Sequence, residues 1–109
     1  QFNEPEPDVM ILKWKDDYYA SGHPGAGDVL LLIEASDTSL RYDRDVKLPI
    51  YSRVGIPEVW IVDLQSRQLE MFTQPSNEGF ASHRTLKPGD SVSLSAFDDI
   101  SLAVADIIP

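Results

Sequence analysis

The sequence predicts an α/β fold in which a helix covers a mixed β-sheet and a C-terminal β-meander follows. Three observations support this prediction. Residues 29–33 are a continuous aliphatic run, residues 37–55 carry apolar side chains at helical spacing, and several short apolar segments separated by turn residues follow Glu58. A helix that connects two strands allows them to pair in parallel, whereas the hairpins that follow pair antiparallel. Together they give a mixed sheet with a covering helix.

The first two predicted strands lie on either side of a long loop. Val9–Leu12 is a short apolar run after Pro7 and Asp8, and we predict a buried strand with Asp8 at its entrance. Residues 13–27 are polar and rich in glycine, which is typical of a loop. Residues 28–36 have apolar side chains at both odd and even positions, so both faces of this strand should be covered. This segment is the best candidate for a central strand, and Glu34 lies near its end.

Residues 37–55 form the predicted helix. Gly55 is a natural C-terminal stop. Pro49 removes one helix hydrogen bond, and a 3.6-residue wheel places it on the solvent-facing side, where a kink is best tolerated. Six residues share an arc of about 100° that should face the sheet: Leu40, Asp43, Lys47, Ile50, Tyr51 and Val54.

The C-terminal half of the chain is predicted to form strands joined by short turns. Residues 58–64 are predicted to be another buried strand, which contains Trp60. Residues 69–73 and 80–86 are the next strands, with turns at 65–68 and 75–79. A tight turn at 87–90, an edge strand at 91–94, and a strand with a helical turn at 100–108 complete the chain.

Length and composition limit the functional classes. A chain of 109 residues, 42% hydrophobic and 25% charged, suits one globular domain. It contains no cysteine, which excludes thiolate metal sites, and we expect a cytoplasmic protein. The aliphatic run is too short to cross a bilayer, so no membrane association is expected. A net charge of −9 counts against a simple nucleic-acid binder, which would carry a basic surface.

Lys47 is the first candidate for chemistry, because a stripe that faces a sheet normally excludes an unpaired ammonium group. Two structural explanations stay open. Asp43 lies four residues earlier and is placed to form an ion pair with Lys47. Alternatively, the lysine side chain extends to the surface and its amine reaches water.

Two acids complete the candidate site. Glu34 ends an aliphatic strand just before the helix, and Asp8 borders a neighbouring strand. Both have structural alternatives, as a helix-start acid and as a turn residue. Together, two carboxylates and the Ala35 carbonyl would suit Mg²⁺ or Mn²⁺, since hard cations take oxygen ligands.

Four segments in series resemble the Uma family of restriction-endonuclease-like proteins, in the PD-(D/E)XK nuclease superfamily. They are Pro7-Asp8-Val9, Ile33-Glu34-Ala35-Ser36, residues 42–48 and residues 51–63. The resemblance implies a restriction-endonuclease-like fold and metal-binding roles for Asp8 and Glu34. The usual superfamily pattern would place a lysine two residues after the acid, where this chain has Ser36. The resemblance implies that in this family the lysine lies on the following helix, at Lys47. Family members usually carry a further N-terminal segment, so we expect 1–109 to be a single domain that lacks it.

The leading functional prediction is a metal-dependent endonuclease that hydrolyses DNA phosphodiester bonds through Asp8, Glu34 and Lys47. The alternatives are a non-catalytic binding or assembly module on the same fold, and a metal-binding module without hydrolysis. Exposed hairpin edges suggest a homodimer. His23 and His83 are interpreted as surface residues, and Asp63 as a turn or capping residue.

Overall fold

The computed structural model describes residues 9–13, 22, 25–37 and 42–108. Within them, five strands form one sheet in the order β1-β2-β3-β4-β5, and two further strands, β6 and β7, form a second sheet. The strands are β1 (Val9–Leu12), β2 (Val29–Ser36), β3 (Glu58–Asp63), β4 (Gln68–Ser76), β5 (Gly79–Leu86), β6 (Ser91–Leu94) and β7 (Phe97–Ala103). The helices are α1 (Leu48–Arg53) and α2 (Val104–Ile107), with a 3₁₀ turn at Ala26–Asp28 and a π-helical turn at Asp43–Lys47.

The larger sheet is mixed, as predicted. β2 pairs with β3 in parallel, from Leu32 opposite Val59 to Ser36 opposite Asp63, and the other neighbouring strands are antiparallel. The helical segment lies between β2 and β3 in the chain. A parallel pair requires a connection that returns the chain to the same end of the sheet, and the helical segment is part of it.

β1 is an edge strand within the described part of the chain, and its predicted burial is wrong. Val9 is 49% exposed and Met10 is 39% exposed. By contrast, every residue of β3 is buried, which confirms the buried strand predicted at 58–64 as far as Asp63. Leu64 belongs to the following turn. An apolar run alone does not distinguish an edge strand from a central one.

The predicted single helix is two segments, and its stripe is displaced. Pro49 has no N–H to bond the carbonyl four residues earlier, and the π-helical turn ends at Lys47, directly before α1. A π turn contains more residues than an α turn. Every later side chain therefore points in a different direction from the one that a uniform 3.6-residue wheel predicts. The residues of α1 that are buried are Leu48, Tyr51 and Ser52. Ile50 and Val54 are only partly buried, and Pro49 is half-buried rather than facing solvent. Asp37 lies in a bend, and residues 38–41, with Leu40, are outside the described part.

The end of α1 follows from Gly55, as predicted. Gly55 has φ of 84°, a left-handed conformation that suits a residue without Cβ. Its N–H donates to the Ser52 carbonyl at 3.2 Å, and the Ile56 N–H donates to the Tyr51 carbonyl at 3.0 Å. This is the Schellman arrangement, and both Tyr51 and Ile56 are buried in the same apolar cluster.

Each face of the five-stranded sheet is covered by a different element. The cluster on the helix side is formed by Val29, Leu32, Leu48, Tyr51, Ile56, Val59, Ile61 and Phe72. The cluster on the other side joins the sheet to β6 and α2, and contains Leu31, Trp60, Val62, Leu69, Met71, Leu86, Val92, Leu94, Val104 and Ile108. Tyr51 and Trp60 are therefore core residues, as expected.

The C-terminal turns follow the prediction closely. The Lys87–Asp90 turn is closed by the Asp90 N–H donating to the Lys87 carbonyl at 2.9 Å. β4 runs through Pro75, so the predicted turn at 75–79 shrinks to Asn77 and Glu78. None of the helices in the described ranges has the length and hydrophobicity needed to span a membrane.

Candidate active site

Glu34 is a buried carboxylate held by two side chains of the helical segment. It is 3% exposed. The Tyr51 hydroxyl donates to Glu34 Oε1 at 2.9 Å, and the Lys47 ammonium donates to Glu34 Oε2 at 3.1 Å. The structure therefore brings together two of the three predicted catalytic residues, at ion-pair distance.

The contact arises from two local periodicities. Along β2 side chains alternate between faces, so Glu34 points to the helix side together with Leu32. Lys47 and Tyr51 are four residues apart across the start of α1, and therefore lie on the same side of the helical segment. One helical face thus presents both donors to one strand-end acid.

Lys47 is mostly removed from water, with a side chain that is 16% exposed. Its ammonium also lies 6.0 Å from the centre of the Tyr42 ring, within the range of a cation–π contact. The predicted alternative pairing with Asp43 involves a side chain outside the described part of the structure. What the structure does show is that Glu34 is a partner of Lys47.

Asp8 lies outside the described residues. The neighbouring ladder is described up to Val9, which is opposite Ile33 in the antiparallel β1–β2 pair. The Ser36 carbonyl accepts a hydrogen bond from the Leu64 N–H after β3, at 2.8 Å. Since successive carbonyls along a strand point in opposite directions, the Ala35 carbonyl points towards the β1 side.

A second buried acid, Glu70, lies on the same face of the sheet and was missed from the sequence. Glu34 is opposite Ile61, and Ile61 is opposite Glu70, so the three side chains form one row across β2, β3 and β4. Glu70 is 0% exposed and forms an ion pair with Arg44. The one sequence feature that could have identified Glu70 is a single acidic residue between apolar residues. It lies in a strand that was predicted only as part of a hairpin.

His83 completes the Glu70 cluster. Its Nε2 lies 3.0 Å from Glu70 Oε1, and its ring stacks on Phe72 with centroids 4.4 Å apart. Glu70 Oε2 is buried and has no hydrogen-bond partner among the described residues. The side chain of His83 is 44% exposed, which agrees with its interpretation as a surface residue; His23 is outside the described part.

Two other buried acids have structural roles. Glu58 lies on the opposite face, where its Oε2 accepts from the Trp60 indole N–H and its Oε1 from the Ser95 N–H, both at 2.9 Å. Asp63 accepts from the Ser66 N–H at 3.1 Å and so stabilises the turn after β3, as predicted.

Comparison with known families identifies the group to which this chain is related. The model of the Uma2 family, described as "Putative restriction endonuclease", matches residues 1–105. The chain belongs to the Uma2 family. The mixed sheet, the short covering helix and the C-terminal hairpin sheet are consistent with the restriction-endonuclease-like fold that the sequence predicted. A search of curated proteins finds no match.

Restriction-endonuclease-like families generally use divalent metals, so the Uma2 site must be tested for its fit to one. Within the described ranges, no three His, Cys, Asp or Glu residues are grouped to hold a metal ion. Glu34 is nevertheless an oxygen ligand of the right kind, and a carboxylate accepts about four contacts, so its bonds to Lys47 and Tyr51 do not exclude a cation. The donor chemistry of Glu34 therefore fits a hard cation.

The pKa of His83 in this Uma2 chain is lowered, first by desolvation on burial and then by the positive charge of Arg44. The folded state therefore favours neutral His83. Below a pH of about 6.5, the unfolded chain takes up a proton that the folded chain resists, so this contribution to stability is present above that pH and lost as pH falls.

We expect the melting temperature of the parent to fall more steeply than that of His83→Gln between pH 7 and pH 5. Glutamine keeps a donor for Glu70 but does not titrate, and acids remote from position 83 contribute equally to both proteins. Thermal melts of the two proteins across this range test it. Parallel curves would contradict the assignment.

Proposed function

We propose that this Uma2 chain is a Mg²⁺- or Mn²⁺-dependent endonuclease that hydrolyses DNA phosphodiester bonds with Asp8, Glu34 and Lys47. The observation that carries the proposal is the contact between the Glu34 carboxylate and the Lys47 ammonium on the helix side of the sheet. An acid and a cation at the end of a buried strand are the groups that metal-assisted phosphoryl transfer requires.

Glu34, Asp8 and the Ala35 carbonyl are the proposed metal ligands. The described β1–β2 ladder ends at Val9 opposite Ile33, the residues next in sequence to Asp8 and Glu34, which supports a shared role for these two acids. Carboxylates from neighbouring strands can share one ion, and hard cations take oxygen ligands of this kind. A cation held by these residues would supply polarisation of a phosphoryl oxygen and a lower pKa for a bound water.

The remaining chemistry belongs to the protein's own side chains. Lys47 supplies a positive charge beside the proposed ligands, where it stabilises the negative charge that develops on the phosphoryl group. Tyr51 fixes the orientation of Glu34 through its 2.9 Å hydrogen bond. Because Glu34 and Lys47 are both largely buried, their electrostatic interactions are screened less than those of surface groups.

DNA must approach a chain of net charge −9, so the location of the positive charges matters. Four of the nine Lys and Arg residues lie between positions 41 and 53: Arg41, Arg44, Lys47 and Arg53. Asp43 and Asp45 lie in the same stretch, which therefore has a net charge of +2, in contrast to the −9 of the whole chain. Local positive charge beside the site supports phosphate binding despite the acidic total.

The test is a plasmid-nicking assay of the full chain, titrated with Mg²⁺ and Mn²⁺. We expect metal-dependent nicking that falls at least about 100-fold in Glu34→Gln, the scale seen when one electrostatic catalytic group is removed. Glu58→Gln is the matched control, since it makes the same change at a buried acid on the opposite face. Asp8→Asn and Lys47→Gln extend the test to the other two residues.

The outcome that rejects the proposal is the absence of metal-dependent nicking, or equal nicking by Glu34→Gln and Glu58→Gln. A second candidate is a non-catalytic binding or assembly module, which is favoured because Lys47 and Tyr51 already hold both oxygens of Glu34. It predicts no cleavage and an unchanged melting temperature with metal. Stabilisation by metal without cleavage would indicate a metal-binding module. The single-domain, homodimer and cytoplasmic predictions stay predictions.

A further inference from the structure

A cleft of about 390 Å³ lies beside the helical segment, next to the Glu70 cluster. Arg44, Arg53, Phe72, Glu78, Phe80 and His83 contribute to its lining. Its volume falls within the range of sites that bind small organic ligands. Nothing in the proposed chemistry of Glu34 and Lys47 uses this cleft.

The basic side of the cleft is built from two arginines with different roles. Arg44 is held by the buried Glu70. Arg53 lies in the last turn of α1, is exposed, and pairs with no acidic side chain in the part of the chain that the structure describes. A guanidinium in this situation is a donor suited to a phosphate group.

The other side of the cleft is aromatic. The Phe80 ring is partly buried and lies 6.1 Å from Phe72, at an angle of 54°. The His83 ring is stacked on Phe72 and is partly exposed. Rings beside arginines are the combination that binds single-stranded nucleic acid, because bases stack on the rings while the backbone meets positive charge.

We propose that this cleft binds one nucleotide of a DNA strand, with its phosphate on Arg53 and its base against Phe80 and His83. The inference rests on the proposed function, in which DNA is the substrate, and identifies a subsite beside the bond that is cut. Glu34 and Glu70 are two strands apart in one row, which is about 10 Å. The cleft is therefore within reach of the strand that occupies the Lys47 site.

Binding is measured by fluorescence anisotropy of a labelled single-stranded oligonucleotide with the full chain in EDTA, where no metal-dependent cleavage occurs. We expect Arg53→Gln to raise Kd about five-fold. The slope of log Kd against log salt should fall by about 0.7, the value for one phosphate contact on a single strand. Arg84→Gln is the matched control, because Arg84 is exposed on β5 next to His83 but outside the cleft.

Glu78 provides a test of opposite sign, since it lines the cleft and repels phosphate. We expect Glu78→Gln to lower Kd about two-fold, whereas Asp99→Asn, which removes an exposed acid of β7, leaves it unchanged. Phe80→Leu should raise Kd about five-fold through lost stacking, with thermal melts to confirm folding.

Equal Kd values for Arg53→Gln and Arg84→Gln would overturn the subsite while leaving the nuclease proposal intact. Conversely, failure of plasmid nicking together with the expected Arg53 and Glu78 effects would retain the subsite and reject the nuclease. Binding of free deoxynucleoside monophosphate with no binding of the oligonucleotide would overturn the assignment to a DNA strand.

Discussion

Replacing Lys47 by methionine is expected to lower the free energy of unfolding by about 3 kcal/mol, because it leaves the Glu34 carboxylate buried without its cation. The value is at the low end for buried pairs, since the Lys47 side chain is 16% exposed. Methionine retains most of the lysine stem, so lost packing contributes little. Denaturant unfolding of the parent and the variant measures the difference.

The double variant Glu34→Leu/Lys47→Met is the control for this effect. If the loss in Lys47→Met comes from an uncompensated charge, removal of that charge should restore part of the stability, and the two substitutions will not add. Additive losses would mean that the ion pair contributes little. The same proteins separate stability from catalysis, since a stable double variant should still fail to nick DNA under the nuclease proposal.

Trp60→Ala is expected to cost about 3 to 5 kcal/mol, the range for a large aromatic side chain removed from a core. Trp60 is 1% exposed and lies in the cluster that joins the sheet to β6 and α2. Its indole also donates to Glu58, whose other oxygen accepts from the Ser95 N–H. The substitution therefore opens a cavity and weakens the attachment of the second sheet.

Two further variants serve as controls for Trp60→Ala, and denaturant unfolding measures the free energy of unfolding of all three. Trp60→Phe keeps a ring but removes the donor to Glu58, with an expected cost of about 1 to 3 kcal/mol. Ile100→Ala removes an apolar side chain that is 45% exposed, and should cost well under 1 kcal/mol. A Trp60→Ala loss no greater than that of Ile100→Ala would contradict the assigned core.

The sequence was most informative where one signal dominates. The buried strands β2 and β3 follow from aliphatic runs, and the end of α1 follows from Gly55. The Glu34–Lys47 contact could be anticipated because a lysine in an apolar stripe needs a partner, and Glu34 ends the strand just before the helical segment. These inferences use local chemistry, which a single sequence contains.

The errors came from features that depend on the whole fold. The exposure of Val9 depends on β1 lying at the edge of the sheet, and strand order is not encoded in an apolar run. The displaced helix stripe depends on the π turn before Pro49, which a uniform wheel cannot represent. Glu70 went unnoticed because its partners are distant in sequence: His83 meets it only after β4 and β5 pair, and Arg44 only after the helical segment packs on the sheet.

The row of Glu34, Ile61 and Glu70 limits how the helical segment can change. Lys47 meets the first acid and Arg44 meets the second, so one short stretch of chain neutralises two buried charges at fixed positions. Lengthening or shortening that stretch by a single residue would separate at least one acid from its cation. The number of residues from Arg44 to Lys47 is therefore fixed by the spacing of the two acids. Insertions and deletions, natural or engineered, should be found on either side of this segment and not within it.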